Sequence, residues 1–253
     1  MPLNALLRLL SLPASLLACV PGLRPVIRVL CSSVGQKFLM ALSGLSLCGF
    51  LLMHLAGNLQ LFVGEEVFNA YAEKLHSLGP ILAAAEVGLF ATFALHIGLA
   101  LSTASMNRLA RSTDYAMKQS KQGLSVLPSG GAASWMMVTG ALIGLFLVVH
   151  IIDMKLKRGF DVDYSAAMVD GVVSNEYQAV RAVLSHPIHA AIYVVCLVAL
   201  GIHLSHGVRS ALQTLGLNHR NWNFLFRAAG VLFAWLIAGG FISLVVWALG
   251  FQP

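Results

Sequence analysis

Charge is scarce in this chain of 253 residues. Lys, Arg, Asp and Glu together make up 10% of the sequence, whereas hydrophobic residues make up 58% and the mean hydropathy is +0.81. This balance excludes an ordinary soluble domain, in which about 25% of residues are charged. The four cysteines show no CxxC spacing, so they predict neither a disulfide framework nor a cysteine metal site.

Five apolar segments are each long enough to cross a bilayer, which takes about 20 residues. They cover residues 38–62, 81–105, 133–152, 188–212 and 224–249. Because lipid offers the backbone no hydrogen-bond partners, each span is predicted to be a helix. The sequence therefore predicts an all-α integral membrane protein with one five-span domain at 32–253. Residues 1–31 are expected to form an extension that lies at the membrane interface or contacts a partner subunit.

Acidic residues are distributed unevenly among the segments that connect the spans. The stretch before the first span and the fourth connection contain basic residues and no acid, and the second connection is mainly basic. The first connection is mainly acidic, and the third carries both signs. The positive-inside rule then predicts that the N-terminus and the second and fourth connections are cytoplasmic and that the C-terminus lies outside.

Four of the nine histidines, namely His54, His96, His150 and His203, lie in four different predicted spans. A histidine within a membrane is costly unless its ring is satisfied. Helical rise counted from the span edges places His54 and His150 about 25 Å from the inner edge, and His96 and His203 about 14 Å from it. The two layers would differ by about 11 Å in height. Two matched pairs predict two stacked bis-histidine haems b inside a core bundle of four helices.

Roles apart from haem ligation are also open to these histidines. A single histidine in a span often hydrogen-bonds a neighbouring helix or lines a polar cavity, so a haem-free transporter or scaffold is an alternative. Zinc and di-iron sites fit less well, because they need carboxylates at the same depth and the predicted spans hold one acid, Glu86. His206 lies one turn from His203 on the same face and could replace it as a ligand, although the depth count favours His203.

Several motifs of the chain resemble one known family. They are Ser-Ser-Val-Gly-Gln-Lys-Phe-Leu-Met-Ala-Leu-Ser-Gly at 32–44, His54-Leu-Ala-Gly-Asn-Leu-Gln60, Phe68-Asn-Ala-Tyr-Ala72, Gly201-Ile-His-Leu-Ser-His-Gly207 and Gln-Thr-Leu-Gly-Leu-Asn-His at 213–219. The family is the dihaem cytochrome b membrane anchor of succinate:quinone oxidoreductases (complex II), which include succinate dehydrogenases and fumarate reductases. The resemblance covers residues 32–250. It implies that His54 and His150 bind a distal haem and that His96 and His203 bind a proximal haem.

The resemblance also implies a function and partners. A flavoprotein subunit and an iron–sulfur subunit would dock on the cytoplasmic face of a bacterial cytoplasmic membrane, and the dicarboxylate chemistry would take place on the flavoprotein. This chain would be the electron-transfer and quinone subunit of a succinate dehydrogenase complex, with menaquinone as the expected quinone. Some fumarate reductases carry a glutamate two residues before the fourth ligand, where this chain has Gly201, which favours a succinate:menaquinone reductase. A quinol:fumarate reductase anchor and the dihaem anchor of another dehydrogenase stay alternatives.

Five further residues are candidates for roles at these sites. Glu86, an acid within a span, is a candidate proton donor and acceptor at a quinone site, although a hydrogen bond to a neighbouring helix explains it equally well. The propionates of the proximal haem need paired partners near the membrane edge. Ser33, Lys37, His206 and Arg209 are the candidates for that role, and ordinary positive-inside anchoring explains the basic ones equally well.

Overall fold

The computed structural model describes residues 29, 32–110, 132–169, 172–217, 219 and 221–250. Nearly all of the predicted extension at 1–31 and most of the second connection lie outside the described residues. The α-helices in the described ranges are α1 (Ser33–Asn58), α2 (Glu65–His76), α3 (Pro80–Leu109), α4 (Ala132–His150), α5 (Glu176–Ser185), α6 (Pro187–Thr214) and α7 (Asn223–Gly250). Short 3-10 turns cover Leu59–Phe62 and Ser165–Ala167, and a π-helical turn covers Ile151–Lys155. The strands β1 (Met168–Val169) and β2 (Val172–Val173) form one antiparallel pair, with Met168 opposite Val173.

Five of these helices are long and apolar enough to cross a membrane. They are α1, α3, α4, α6 and α7, where α1 continues through its 3-10 turn and α4 through its π turn. The architecture is therefore that of an all-α multi-pass membrane protein, as the sequence predicts. The 30-residue α3 is about 45 Å long, which exceeds the ~30 Å hydrocarbon thickness of a bilayer. The ends of this helix therefore extend past the hydrocarbon region.

The starts of the helices follow from local chemistry. The Ser32 hydroxyl caps α1 by accepting a hydrogen bond from the backbone N–H of Gly35 at 3.1 Å. Asn175 caps α5 by accepting from the N–H of Gln178, also at 3.1 Å. α3 and α6 both begin with a proline, whose missing N–H costs nothing in the first turn of a helix. These local signals mark where α1, α3, α5 and α6 begin.

α6 is the central helix of the bundle. It packs against α4, α7 and α1, whereas α3 packs mainly against α1. Glycines bring α7 close to both of its neighbours. A Cβ added at Gly201 of α6 would lie 3.1 Å from the Trp235 ring, and one added at Gly240 of α7 would lie 2.7 Å from Leu55 of α1. α7 therefore braces α1 and α6, which are two of the four helices that carry the span histidines.

One end of the bundle is covered by α2 and by the segment from Ile151 to Ser185, and is called the capped end here. Asn69 of α2 donates to the Asn175 side chain at 2.9 Å and accepts from the Tyr177 N–H at 3.0 Å. The Phe68 and Tyr177 rings pack edge to face, with centroids 6.3 Å apart. The larger hydrophobic cluster of the described residues lies under this cap. The opposite end, where α1 and α7 begin and α3 and α6 end, is called the basic end.

Candidate functional site

His54 and His150 form one histidine pair, near the capped end. His54 lies in the last turns of α1 and His150 is the last residue of α4. Their ring centroids are 5.9 Å apart and their planes are perpendicular. Because α1 packs mainly on α3, α6 and α7 while α4 packs on α6, the two rings face each other across a space between α1 and α4. Aromatic side chains surround this pair: Phe50, Phe146, Tyr193 and Phe241.

A buried polar network holds the His150 ring. The Tyr193 hydroxyl donates to Asp153 Oδ2 at 3.2 Å and lies 3.4 Å from His150 Nδ1. A hydroxyl that has given its one proton to a carboxylate can only accept a further hydrogen bond. His150 therefore carries its proton on Nδ1, and its Nε2 keeps a lone pair available for a ligand bond. The partner of His54 is weaker, since Asn58 donates to the His54 backbone oxygen at 2.8 Å and reaches the ring only at 3.5 Å.

The same network continues to the third connection. His189 Nδ1 lies 2.9 Å from Asp153 Oδ2, and His189 Nε2 donates to the Phe160 carbonyl at 2.9 Å. Asp153 and His189 are almost completely buried, with side-chain exposures of 1% and 0%. The π turn after α4 adds one residue to a helical turn and places Asp153 inside the bundle. A buried carboxylate is tolerated because hydrogen bonds satisfy it from two sides.

His96 and His203 form the second pair, nearer the basic end. Each ring is held by a hydroxyl on the neighbouring helix: Ser43 Oγ lies 3.1 Å from His96 Nδ1, and Thr139 Oγ1 lies 3.1 Å from His203 Nδ1. Both hydroxyls donate back to their own helices, Ser43 to Met40 and Thr139 to Trp135. They therefore accept from the Nδ1–H groups, which again leaves each Nε2 with its lone pair. His203 also lies within electrostatic range of His96.

A glycine follows each hydroxyl and makes room for the ring. A Cβ at Gly44 would lie 3.2 Å from His96 Cε1, and a Cβ at Gly140 would lie 3.3 Å from His203 Cε1. α1 and α4 thus share a sequence pattern. In each helix a hydroxyl residue is followed directly by a glycine, and a histidine lies 11 positions after the hydroxyl residue. Eleven residues are about three helical turns, so the hydroxyl and the histidine lie on one face, about 16 Å apart along the axis.

This rise differs from the layer spacing of about 11 Å that depth counting predicts. The His54 and His150 rings lie beside each other, and the charge of His96 acts on His203. The spacing differs because depth counting requires the helices to end in common planes, whereas the contacts of His96 with Ser43 and of His203 with Thr139 set the actual register.

The chemistry of the two pairs fits haem. Each pair offers two imidazoles, and among the described residues no group of three or more His, Cys, Asp or Glu side chains could hold a bare metal ion. Two axial ligands are what an iron needs when a porphyrin fills its other positions. The His54 and His150 rings, with centroids 5.9 Å apart, lie close enough for both imidazoles to hold one such group.

Glu86 lies in the second turn of α3, at the capped end. Its carboxylate forms an ion pair with Lys155 of the π turn, and the two side chains are 40% and 51% exposed. The pair joins α3 to the end of α4, beside the network that holds His150. Glu86 thus contacts a neighbouring element, which is the alternative to a quinone-site role that the sequence leaves open. None of its described hydrogen bonds or ion pairs reaches a span histidine.

The four residues predicted to bind propionates lie at the basic end but do not form one cluster. Ser33 and Lys37 are exposed in the first turns of α1. His206 lies one turn beyond His203 and within electrostatic range of Arg209. Arg209 lines a cavity between α6 and α7, on a different side of α6 from His203. The propionate role of Ser33, Lys37, His206 and Arg209 stays a prediction.

Sequence reasoning misses Asp153, His189 and Tyr193 as members of the site. In the sequence, Asp153 is one charge among several in the third connection, and His189 lies at the mouth of the fourth span. A usable signal is nevertheless present: Asp153 follows His150 by three residues, and Tyr193 follows His189 by four, spacings that place side chains on one helix face.

Comparison with known proteins gives no relative for this chain, since no protein-family model, curated protein or solved structure matches it. The geometry of the histidine pairs is therefore the main support for a function.

Proposed function

We propose that this chain is a dihaem cytochrome b that carries electrons through a membrane. One observation carries the proposal: Nδ1 of His96, His150 and His203 lies 3.1–3.4 Å from a hydroxyl that donates its own proton elsewhere, which assigns the ring proton to Nδ1 and leaves Nε2 as a ligand. Ligand histidines in metalloproteins are oriented in this way by a hydrogen bond on the other ring nitrogen. When bound, haem supplies one-electron redox chemistry.

The residues around each pair determine what kind of chemistry is favoured. Two histidines per iron leave no open coordination position, which favours electron transfer over oxygen chemistry. Phe50, Phe146 and Phe241 pack around the His54–His150 pair and give it an apolar surrounding. A low-dielectric surrounding of this kind adjusts redox potential and limits side reactions. The two pairs, about 16 Å apart along α1 and α4, would form a path between the two membrane faces.

We further propose that the chain is the membrane anchor of a succinate:menaquinone oxidoreductase. The motifs at 32–44, 54–60, 68–72, 201–207 and 213–219 support this assignment through their family resemblance. In this proposal the basic end faces the cytoplasm and contacts the iron–sulfur subunit, which is joined to the flavoprotein. Quinone would react near the capped end, where Glu86 and Lys155 form their ion pair beside the His54–His150 pair.

The first experiment is a reduced-minus-oxidised visible spectrum of the purified chain, with haem quantified per chain and titrated by potential. Two haems b are expected, and His54→Ala and His96→Ala should each remove a different one. His76→Ala is the matched control, because His76 lies at the exposed end of α2 and should leave both haems in place. A colourless preparation, or one in which neither substitution lowers haem content, would contradict the cytochrome assignment and favour the haem-free transporter or scaffold.

The finer assignment needs a separate test. Purification through a tag on this chain should recover a flavin-containing and an iron–sulfur-containing subunit, and succinate should reduce the haems of that complex. A different dehydrogenase in the purified complex would replace the succinate assignment and leave the cytochrome assignment intact. Glu86→Gln should abolish quinone turnover with both haems retained, and unchanged turnover would exclude the proton-transfer role of Glu86.

A further inference from the structure

A cavity of about 270 Å³ opens between α6 and α7 at the basic end. Two arginines, Arg209 of α6 and Arg227 of α7, line it together with the side-chain amides of Gln213 and Asn223. Leu212 and Phe226 complete its apolar wall. Arg227 is near enough for its charge to act on Arg209. Two cations brought together at the edge of a membrane are costly unless an anion lies between them.

The helices that form the cavity cannot supply that anion. No aspartate or glutamate occurs anywhere from residue 177 to residue 253, which includes all of α6 and α7. None occurs before Glu65 either, so the start of α1 has no acid to offer. Of the remaining acids, only Asp114 belongs to a connection at this end, and it lies outside the described residues. The described lining of the cavity therefore contains two arginines and no acid.

The donors in the cavity suit phosphate oxygens. Guanidinium groups present several N–H donors in a planar fork, which matches the oxygens of a phosphate. The Asn223 side-chain oxygen accepts from the His219 N–H at 3.0 Å, so the amide nitrogen of Asn223 is free to donate elsewhere. Gln213 adds a second neutral amide donor.

The surroundings of the cavity favour a lipid as the source of that phosphate. Phe224 and Leu225, in the first turn of α7, expose 77% and 51% of their surface beside it. Leu217 and Trp222, on the connection between the two helices, are also exposed. Exposed apolar and aromatic side chains next to a cationic cavity match a ligand that has acyl chains below a charged head group.

The cavity is distinct from the candidate haem site. α6 turns the side that contains Gly201 and Val208 towards α7, as the short distances at Gly201 and Gly230 show. His203 follows Gly201 by two residues, which rotates it by about 200° to the other side of the helix. An anion between Arg209 and Arg227 therefore lies on the α7 side of α6, away from the His96–His203 pair.

We propose that this cavity binds the phosphate group of an anionic membrane lipid, with its acyl chains against the first turn of α7. The site would fix the start of α7, the helix that braces α1 and α6, and would make the stability of the chain depend on lipid charge. This role does not depend on haem or on a partner dehydrogenase.

The test measures thermal stability and lipid binding of the full chain in neutral detergent, with phosphatidylglycerol, phosphatidylcholine and inorganic phosphate as probes. Phosphatidylglycerol is expected to bind with 1:1 stoichiometry in native mass spectrometry and to raise the melting temperature, whereas phosphatidylcholine is not. Arg227→Gln should weaken phosphatidylglycerol binding about tenfold or more, since it removes a charge-assisted hydrogen bond. Arg108→Gln removes one exposed arginine from the same end of the molecule, outside the cavity, and should retain binding.

Three results would overturn the proposal. Equal weakening in Arg227→Gln and Arg108→Gln would mean that general surface charge attracts the lipid. Equal stabilisation by phosphatidylcholine would mean that charge plays no part. Stabilisation by inorganic phosphate alone would assign the cavity to a free anion instead of a lipid. If Arg227→Gln does not fold, Asn223→Ala replaces it, because it removes a donor of the cavity without changing the charge, and it too should bind phosphatidylglycerol more weakly.

Discussion

The two histidine pairs are held in different ways. His96 and His203 each contact a neutral hydroxyl on an adjacent helix, and those hydroxyls are bonded back to their own backbone. His150 contacts Tyr193, which is bonded to the buried Asp153 and through it to His189 and the third connection. The basic-end pair is therefore oriented by the spans alone, whereas the capped-end pair is also connected to the segment outside the spans.

This difference indicates where the two pairs are vulnerable. The Ser43–Gly44 and Thr139–Gly140 steps depend on close approach of two helices, so they are sensitive to volume. The Asp153 network depends on a complete set of buried partners, and a partly satisfied network is costly. The basic-end pair should therefore be disrupted when a side chain is enlarged, and the capped-end pair when a polar group is removed.

The largest effect is expected from Asp153→Ala. This substitution leaves His189 and Tyr193 buried without their shared partner, and breaking a buried ion pair typically costs about 3–5 kcal/mol. Unfolding of the purified chain in detergent measures this loss. Glu66→Ala, at an exposed acid of α2 in the same cap, should change stability by about 0.5 kcal/mol or less. Similar losses in the two variants would mean that the Asp153 network contributes little.

Enlarging a glycine should affect the basic-end pair alone. Gly44→Val places carbon atoms against His96 Cε1, where even a Cβ would lie at 3.2 Å, and overpacking of this kind costs about 1–3 kcal/mol. Gly49→Val is the matched control in the same helix, because nothing lies within 4 Å of a Cβ there. Under the proposed function, the first variant should lose the haem of the His96–His203 pair and the second should retain both haems. Equal haem content in the two variants would contradict the tight contact at Gly44.

The fold was largely predictable from the sequence, because a bilayer restricts what an apolar segment can be. Five apolar runs predict five helices, and the positions of Pro80 and Pro187 mark two of the starts. That His54 lies beside His150 was also predictable, since helical rise converts position in a span into depth. The actual separation of the layers was not, because it depends on how α3 and α6 are shifted along α1 and α4.

The Asp153 network was not predictable by counting charges. Asp153 follows an apolar run and precedes Lys155, Lys157 and Arg158, a pattern that is typical of a solvated connection. Its burial depends on the π turn after His150 and on the arrival of α6, which are both features of tertiary structure. The short cap helices α2 and α5 were not predictable either, because they lie in polar connections and their ends depend on contacts such as that of Asn69 with Asn175.

Removing single hydroxyls should shift the redox potentials of the two proposed haems by different amounts. Tyr193→Phe deletes the described hydrogen-bond acceptor of His150 Nδ1, so His150 becomes less basic and, under the proposed function, the potential of the haem that it would bind should rise. Ser43→Ala and Thr139→Val should have smaller effects, because these hydroxyls are bonded only to neutral backbone oxygens of their own helices, whereas the Tyr193 hydroxyl is bonded to the buried Asp153 carboxylate. Each substitution should cost about 0.5–1.5 kcal/mol of stability. Potentiometric titration of the three variants measures the shifts, and equal shifts would remove the distinction between the pairs.

The smallest expected effect is a loss of stability of the cap at alkaline pH, caused by ionisation of Tyr164. Its hydroxyl donates to the Asp153 backbone oxygen at 2.9 Å and accepts from the Gly159 N–H at 3.2 Å. Burial raises the pKa of Tyr164 above its usual value of 10.0, so the folded chain holds this proton more tightly than the unfolded chain does. The resulting stability is present in full below pH 10 and is lost as the pH rises towards the folded-state pKa. Hydrogen exchange of residues 159–169 should therefore accelerate above about pH 10 beyond its intrinsic increase, while amides at the basic end should not. Tyr164→Phe has no proton to lose, so its cap should exchange faster at neutral pH and show no such extra acceleration; an unchanged alkaline step in that variant would assign the titration to another group.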